Sequence, residues 1–255
     1  MKRWLLALLL PFAPAQAVEV IAHRGYSALA PENTVAAFHL AWKKGADSCE
    51  LDLYLTADQE IAVLHDANTQ RTTGVAKLVK ESTLAELQAL DAGSWKSPDF
   101  TGEPIPSLAQ ALATLPEGPH RFFLEIKDKD PALVPVLARK LETWKPRARQ
   151  LCVIAFDRTV ARETKRALPW LPVYRLSAPA DLAALIQDAQ ADGLDGLDLS
   201  LQWPWSPAMV EQIRQAGLGV YVWTVNQPAD VQRLAALGID GITTDDPVMA
   251  RAAVR

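Results

Sequence analysis

The sequence has little that would tie it together covalently. Cys49 and Cys152 are its only cysteines in 255 residues. Each lies in an apolar, strand-like run, where a small buried hydrophobe is a better reading than a disulfide partner. An excess of basic charge is also missing: 26 Lys and Arg stand against 30 Asp and Glu, a net charge of −4. No electrostatic footprint for nucleic acid follows from that balance. Low-complexity tails and long charge runs are absent. The apolar run Trp4–Phe12 falls short of the ~20 residues that a helix needs to cross a bilayer. What is present is a chain that is 49% hydrophobic, enough for a substantial core in one large domain or two small ones.

The first residues differ from the rest. Lys2 and Arg3 precede Trp4–Phe12, and Pro14-Ala15-Gln16-Ala17 then supplies small residues at cleavage spacing. This is the pattern of a secretory signal. The expectation is a signal peptide over 1–17 and a mature, soluble chain over 18–255, secreted or, in a Gram-negative host, periplasmic. No cysteine follows the cleavage site, so neither lipid attachment nor another stable membrane anchor is expected.

From residue 18 onward, strand-like and helix-like segments alternate. Val18–Ala22, Ser48–Leu53, "RFFLEI" at 121–126, "CVIAF" at 152–156, "PVYRL" at 172–176 and "GLDGLDL" at 193–199 read as strands. Helical patterns follow at Glu32–Lys44, Pro131–Trp144, Arg158–Ala167, 180–190 and 207–217. "IRQAGLGVYVWTVN" and "LAALGIDGITTD" nearly repeat each other, with Gly217 and Gly238 suited to helix C-caps. About eight such units predict the α/β class and one (β/α)8 TIM barrel of ~250 residues. An open doubly wound sheet is the alternative, weakened because no Gly-rich turn follows the first strand. Residues 54–104 interrupt the rhythm after the second strand. A structureless loop of that length would be unusual, so a small insertion with a strand or hairpin and one short helix is expected.

In a parallel barrel the functional face lies at the C-terminal ends of the strands. His23 and Arg24 end the first strand. Glu50 and Asp52, two apart on the second, share a face, which turns Cys49 towards the helices. Glu125 and Lys127 share a face on the third. Three converging carboxylates repel one another unless a cation lies among them, and an all-oxygen set favours Mg²⁺, Ca²⁺ or Mn²⁺. Pairing with Arg24 and Lys127 alone is the purely structural alternative. His23 and His65 are the natural acid–base pair, against the plainer reading of satisfied core histidines. His39 lies within a helix, and His120 precedes its strand, at the opposite face. Arg24 and Lys127 suit an anionic phosphate. Glu32 reads as a complement to a helix dipole, and Asp245 and Asp246 as caps before Pro247. Trp203 and Trp205 read equally as loop packing or as an aromatic wall for a leaving group.

Taken together, "HRG" at 23–25, "PENT" at 31–34, "ELD" at 50–52, "HD" at 65–66, "RTTG" at 71–74, "EIK" at 125–127, "WTVN" at 223–226 and "DGITTDDP" at 240–247 resemble the glycerophosphodiester phosphodiesterases. The pieces occur in family order across nearly the whole mature chain. The resemblance implies a TIM barrel with an insertion after the second strand. It implies hydrolysis of glycerophosphodiesters to an alcohol and sn-glycerol 3-phosphate, with a small molecule as partner. It implies a divalent cation, Mg²⁺ or Ca²⁺ with Mn²⁺ as a further option, on Glu50, Asp52 and Glu125. His23 and His65 would be catalytic, Arg24 and Lys127 would contact phosphate, and Trp223 would line the glycerol side. The nearest rivals are a barrel phospholipase D acting on lyso- or sphingolipids and an exported phosphodiester-binding protein.

Overall fold

The computed structural model describes residues 18–254; the expected signal over 1–17 lies outside them. Nine strands form one sheet: β1 (Glu19–Ala22), β2 (Ser48–Leu55), β3 (Ile61–Val63), β4 (Arg121–Ile126), β5 (Leu151–Ala155), β6 (Val173–Ser177), β7 (Gly196–Ser200), β8 (Gly219–Trp223) and β9 (Gly241–Thr244). All except β3 run parallel, and the ring closes because β1 pairs with both β2 and β9. The result is the (β/α)8 barrel. The strand β3 stands outside it as an antiparallel partner of β2, with Leu53 opposite Val63.

The helices are α1 (Val35–Lys43), α2 (Gln70–Thr73), α3 (Leu84–Gln88), α4 (Leu108–Ala113), α5 (Leu133–Leu141), α6 (Arg158–Ala167), α7 (Leu182–Ala191), α8 (Pro207–Gln215), α9 (Pro228–Ala236) and α10 (Pro247–Ala253). Their starts are set by short polar side chains that accept otherwise unpaired backbone N–H groups. Asp157 accepts from Val160, Asp181 from Ala184, and Ser206, just before Pro207, from Met209. Gly217 and Gly238 have φ of 78° and 76° beyond α8 and α9, the left-handed geometry that lets a helix turn at once into a strand.

The first helix and the insertion depart from expectation. The first helix was expected from Glu32 but starts at Val35, because Asn33 adopts φ of 60° and Thr34 becomes the cap, accepting from the Ala37 N–H. The insertion holds two short α-helices and two 3-10 turns beside the β3 hairpin rather than one short helix. Its own small core, with Ala62, Leu64, Val79, Leu87 and Ile105, holds it against the barrel.

Strand alternation divides the apolar side chains into two layers. Val20, Cys49, Leu51, Leu53, Phe122 and Leu124 face the helices. Ile21, Phe123, Cys152, Ile154, Tyr174, Leu176 and Tyr221 fill the interior, each large apolar side chain contributing ~1.5–3 kcal/mol by leaving water. Both cysteines are free and buried. Beneath the inner layer, at the strands' N-terminal ends, Arg121 donates to Glu19 (Nε to Oε1, 2.7 Å) and to the Tyr221 hydroxyl at 2.7 Å, and Ser48 donates to Glu19. This cluster closes the floor of the barrel and leaves the other end to the site.

Candidate active site

The ends of β1, β2 and β4 bring most of the candidate residues together. The loop after β1 is held tight against α1: a Cβ on Gly25 would fall 2.7 Å from Ala37, and φ there is 80°. Arg24, before it, also takes a left-handed φ of 55°, a strained choice for a side chain with a Cβ. That turn lets the Arg24 N–H donate to Glu50 Oε2 at 2.9 Å while its guanidinium reaches Glu32 at 2.8 Å and Asp52 at 3.2 Å. Asn33, also left-handed, donates to Asp52 Oδ2 at 2.7 Å and accepts from the Asp52 N–H at 3.1 Å. "PENT" therefore builds the site as well as starting a helix.

Asp52 is the register partner of Glu125, and Glu50 lies level with Phe123 one step deeper. One oxygen from each of Glu50, Asp52 and Glu125 lies within 4.8 Å of the others. All three residues are buried. Glu50 Oε1 and Asp52 Oδ1 accept no hydrogen bond, while Lys127 Nζ lies 2.7 Å from Glu125 and 3.5 Å from Asp52. Burial, then the charges of Asp52 and Glu125, push Glu50 well above the usual carboxylate range. Burial and the Asp52 charge push Glu125 up to about 7. Burial also opposes the charge on Asp52, but Arg24 and Lys127 outweigh it and hold that group low. Buried carboxylates with idle lone pairs, crowded enough to raise the pKa of Glu50 and Glu125, fit a hard cation. The triad can hold a metal ion.

His23 and His65 are each tied at Nδ1 to a carboxylate. His23 lies 2.6 Å from Asp245 Oδ1, which also accepts from the Ser27 hydroxyl at 3.1 Å. Asn226 donates to the other oxygen at 2.6 Å. The expected capping role thus splits between two residues: Asp246 alone caps α10, accepting from Val248 and Met249, and Asp245 turns into the site. His65, delivered by β3, lies 2.7 Å from Asp66 Oδ1. Arg71 clamps Asp66 Oδ2 at 2.6 Å and pairs with both oxygens of Glu32. Glu32 is therefore a bridge between Arg24 and Arg71, not the helix-dipole partner expected. Burial, together with the nearby charges of Arg24 and Lys127, lowers the pKa of His65 despite Asp52 and Asp66. In both pairs Nδ1 is committed, which leaves Nε2 as the nitrogen available to exchange a proton with a ligand.

A cavity of about 190 Å³ lies between these groups and the apolar side of the barrel, lined by His23, Glu50, His65, Glu125, Lys127 and Trp223 among others. Trp223 meets Phe156 edge-on at 5.3 Å. Phe156 is 42% exposed and lines the same cavity. Trp203 is buried with its Nε1 donating to the Ser177 carbonyl, and Trp205 donates to the Ser200 carbonyl; neither lines the cavity. The two read as loop packing, and no aromatic wall forms there. Sequence reasoning missed Asn33, Phe156, Asp245 and the Asp66–Arg71–Glu32 chain, although most of them lie inside or beside the quoted motifs.

Residues 23–249 match the glycerophosphoryl diester phosphodiesterase family profile. A glycerophosphodiester phosphodiesterase of Caldanaerobacter subterraneus is 34% identical over 238 residues, covering 89% of this chain and 94% of that protein. One from Bacillus subtilis is 30% identical, covering 89% and 83%. Among solved structures, a phosphodiesterase of Oleispira antarctica in complex with the product sn-glycerol-3-phosphate superposes with a TM-score of 0.85 at 29% identity, over 92% of this chain and 96% of that one. With a site of this composition at the mouth of a barrel of that shape, the chain belongs to the glycerophosphoryl diester phosphodiesterase family of hydrolases.

Proposed function

We propose that this chain hydrolyses glycerophosphodiesters such as glycerophosphocholine or glycerophosphoethanolamine, releasing an alcohol and sn-glycerol 3-phosphate, with a divalent cation on Glu50, Asp52 and Glu125. The carrying observation is the pair of carboxylate-tethered imidazoles, His23 and His65, lining one cavity with that triad. A binding protein would need no such pair. The cation, Mg²⁺ or Ca²⁺ with Mn²⁺ as a further option, would supply Lewis-acid polarisation of a phosphoryl oxygen. Lys127 and Arg24 neutralise the remaining phosphoryl charge as it grows. One imidazole takes the proton of the nucleophile, either water or the neighbouring glycerol hydroxyl, and the other gives a proton to the leaving alcohol. Trp223 and Phe156 flank the carbon skeleton.

Among the described residues no helix is long and apolar enough to cross a membrane. Phe156 at the cavity and Trp95 on the adjoining groove are the site's exposed large aromatics, less apolar surface than a lipid-hydrolysing phospholipase D would need. Phosphorus NMR of glycerophosphocholine turnover, with and without chelator, tests the reading. Appearance of glycerol 3-phosphate supports it, and phosphocholine as the product would sink it. Export follows from residues 1–17: N-terminal sequencing of the secreted or periplasmic enzyme should begin at Val18, and an active cytoplasmic form that retains Met1 would refute this.

A further inference from the structure

The charged lining of the cavity comes from one half of the barrel. His23, Arg24, Glu50, Glu125 and Lys127 belong to β1, β2, β4 and the turns directly after them, whereas β5, β6 and β8 contribute Ile154, Phe156, Leu176 and Trp223. Asp198 is the exception on the apolar side. It stands in the middle of β7, level with Leu176 on β6 and Tyr221 on β8. It lines the same cavity, is 1% exposed, and its Oδ1 has no hydrogen-bond partner. Asp198 is also outside the group of carboxylates close enough to share one ion. Arg24 and Lys127 are engaged by Glu32, Asp52 and Glu125. A buried carboxyl without a partner is costly, so this wall of the cavity is complete only when a ligand supplies the bond.

The geometry points to Asp198 as a specificity-determining residue that binds a hydroxyl of the substrate's glycerol moiety, opposite the groups that hold the phosphate. This rests on the glycerophosphodiester reading above. A hydroxyl both donates and accepts, so it satisfies a carboxyl in either protonation state. Ile154, Leu176 and Trp223 give the carbon skeleton an apolar bed beside it. The cavity is small, and a wider groove of about 530 Å³ shares His23 and Arg24 with it and runs past Ser27, Trp95 and Asp246. That groove leaves room for the departing alcohol outside the polyol pocket.

Two ratios test the assignment in the wild type, Asp198→Ala and Asp198→Asn. The first is kcat/KM for glycerophosphocholine against bis-p-nitrophenyl phosphate, a phosphodiester with no polyol. The second is inhibition by sn-glycerol 3-phosphate against inorganic phosphate. Asp198→Ala should lower both ratios about tenfold or more, because a site built around a hydroxyl loses its discrimination with that bond. Asp198→Asn keeps a donor and an acceptor at nearly the same size, should fold, and should lose less. Ratios that stay at the wild-type value, whether the paired rates fall together or do not fall, would overturn the proposal. A wild type that releases no glycerol 3-phosphate would defeat the functional reading instead, and the inhibition ratio would still report on Asp198.

Discussion

Asp245→Asn is the substitution that isolates the tether of His23. The aspartate accepts from His23 Nδ1 at 2.6 Å on one oxygen and from Asn226 Nδ2 at 2.6 Å on the other. Asparagine has a single acceptor oxygen. If that oxygen faces His23, its NH₂ meets the Asn226 NH₂ head-on. Asn226 cannot flip to relieve this, because its Oδ1 already accepts from Thr244 Oγ1 at 3.1 Å and from the residue 245 N–H at 2.9 Å. If the amide turns the other way, His23 Nδ1–H loses its acceptor. In both cases the imidazole loses the carboxylate that fixes its tautomer and orientation. A hydrogen bond to a charged group is worth ~1.5–3 kcal/mol, which corresponds to a fall in kcat of roughly 10- to 100-fold. KM should change little, since Asp245 holds the ring rather than the phosphate. Steady-state kinetics on glycerophosphocholine, with thermal melting to confirm the fold, measures this. A variant with wild-type kcat would show that His23 does not depend on its partner and would refute the reasoning.

Three further outcomes follow from the site. His23→Ala and His65→Ala should each lower kcat by ~10² to 10⁴-fold with little change in melting, and near-wild-type turnover in either would remove that ring from the chemistry. Chelation should abolish activity, with Mg²⁺ or Ca²⁺ restoring it. Calorimetry should then show weaker metal binding in Asp52→Asn and tighter binding when glycerol phosphate is present, by reciprocal linkage; full activity after thorough demetallation would leave the triad a salt-bridge cluster. The pH dependence of stability has a definite sign at Asp245. Burial opposes its charge, but the hydrogen bond and charge of His23 outweigh this and lower its pKa from 3.8 to about 2. Its contribution is complete above 3.8 and is lost as pH falls through about 2, so the gap in denaturant midpoint between wild type and Asp245→Asn should close over that window, and a constant gap would count against the ion pair.

The barrel was legible because each of its parts is local. Helix caps, glycine stops and β-branched runs repeat unit by unit, and period-2 alternation tells which side chains face inward. Those rules suffice for Glu50 with Asp52 and for Glu125 with Lys127. They do not give depth across strands, so the pairing of Asp52 rather than Glu50 with Glu125 needed the register. They also fail where neighbouring residues divide their work. In "DDP" both aspartates look like caps, and only the fold separates Asp246 at the helix from Asp245 beside a histidine 222 positions away in sequence. Asn33 was hidden for a similar reason: its left-handed turn is invisible in the pattern, and its partner Asp52 lies on another element. Asp198 stayed hidden in "GLDGLDL", because a lone acid in a strand has no spacing to mark it.

The ion pair of Glu19 with Arg121, capped by Ser48 and Tyr221, gives the barrel a solid base. A vessel closed below has a single doorway, and traffic through it is sequential. In the binding mode proposed above, the phosphate-bearing fragment would sit deepest, held by Arg24 and Lys127, with the alcohol nearer the exit. The alcohol must therefore depart first, and the doorway clears for the next molecule only when glycerol phosphate follows. Accumulating glycerol phosphate should compete directly with incoming diester, whereas added alcohol should not. On that proposal an enzyme of this shape should throttle itself by its second product, and its throughput in a closed compartment should follow how fast that product is carried away.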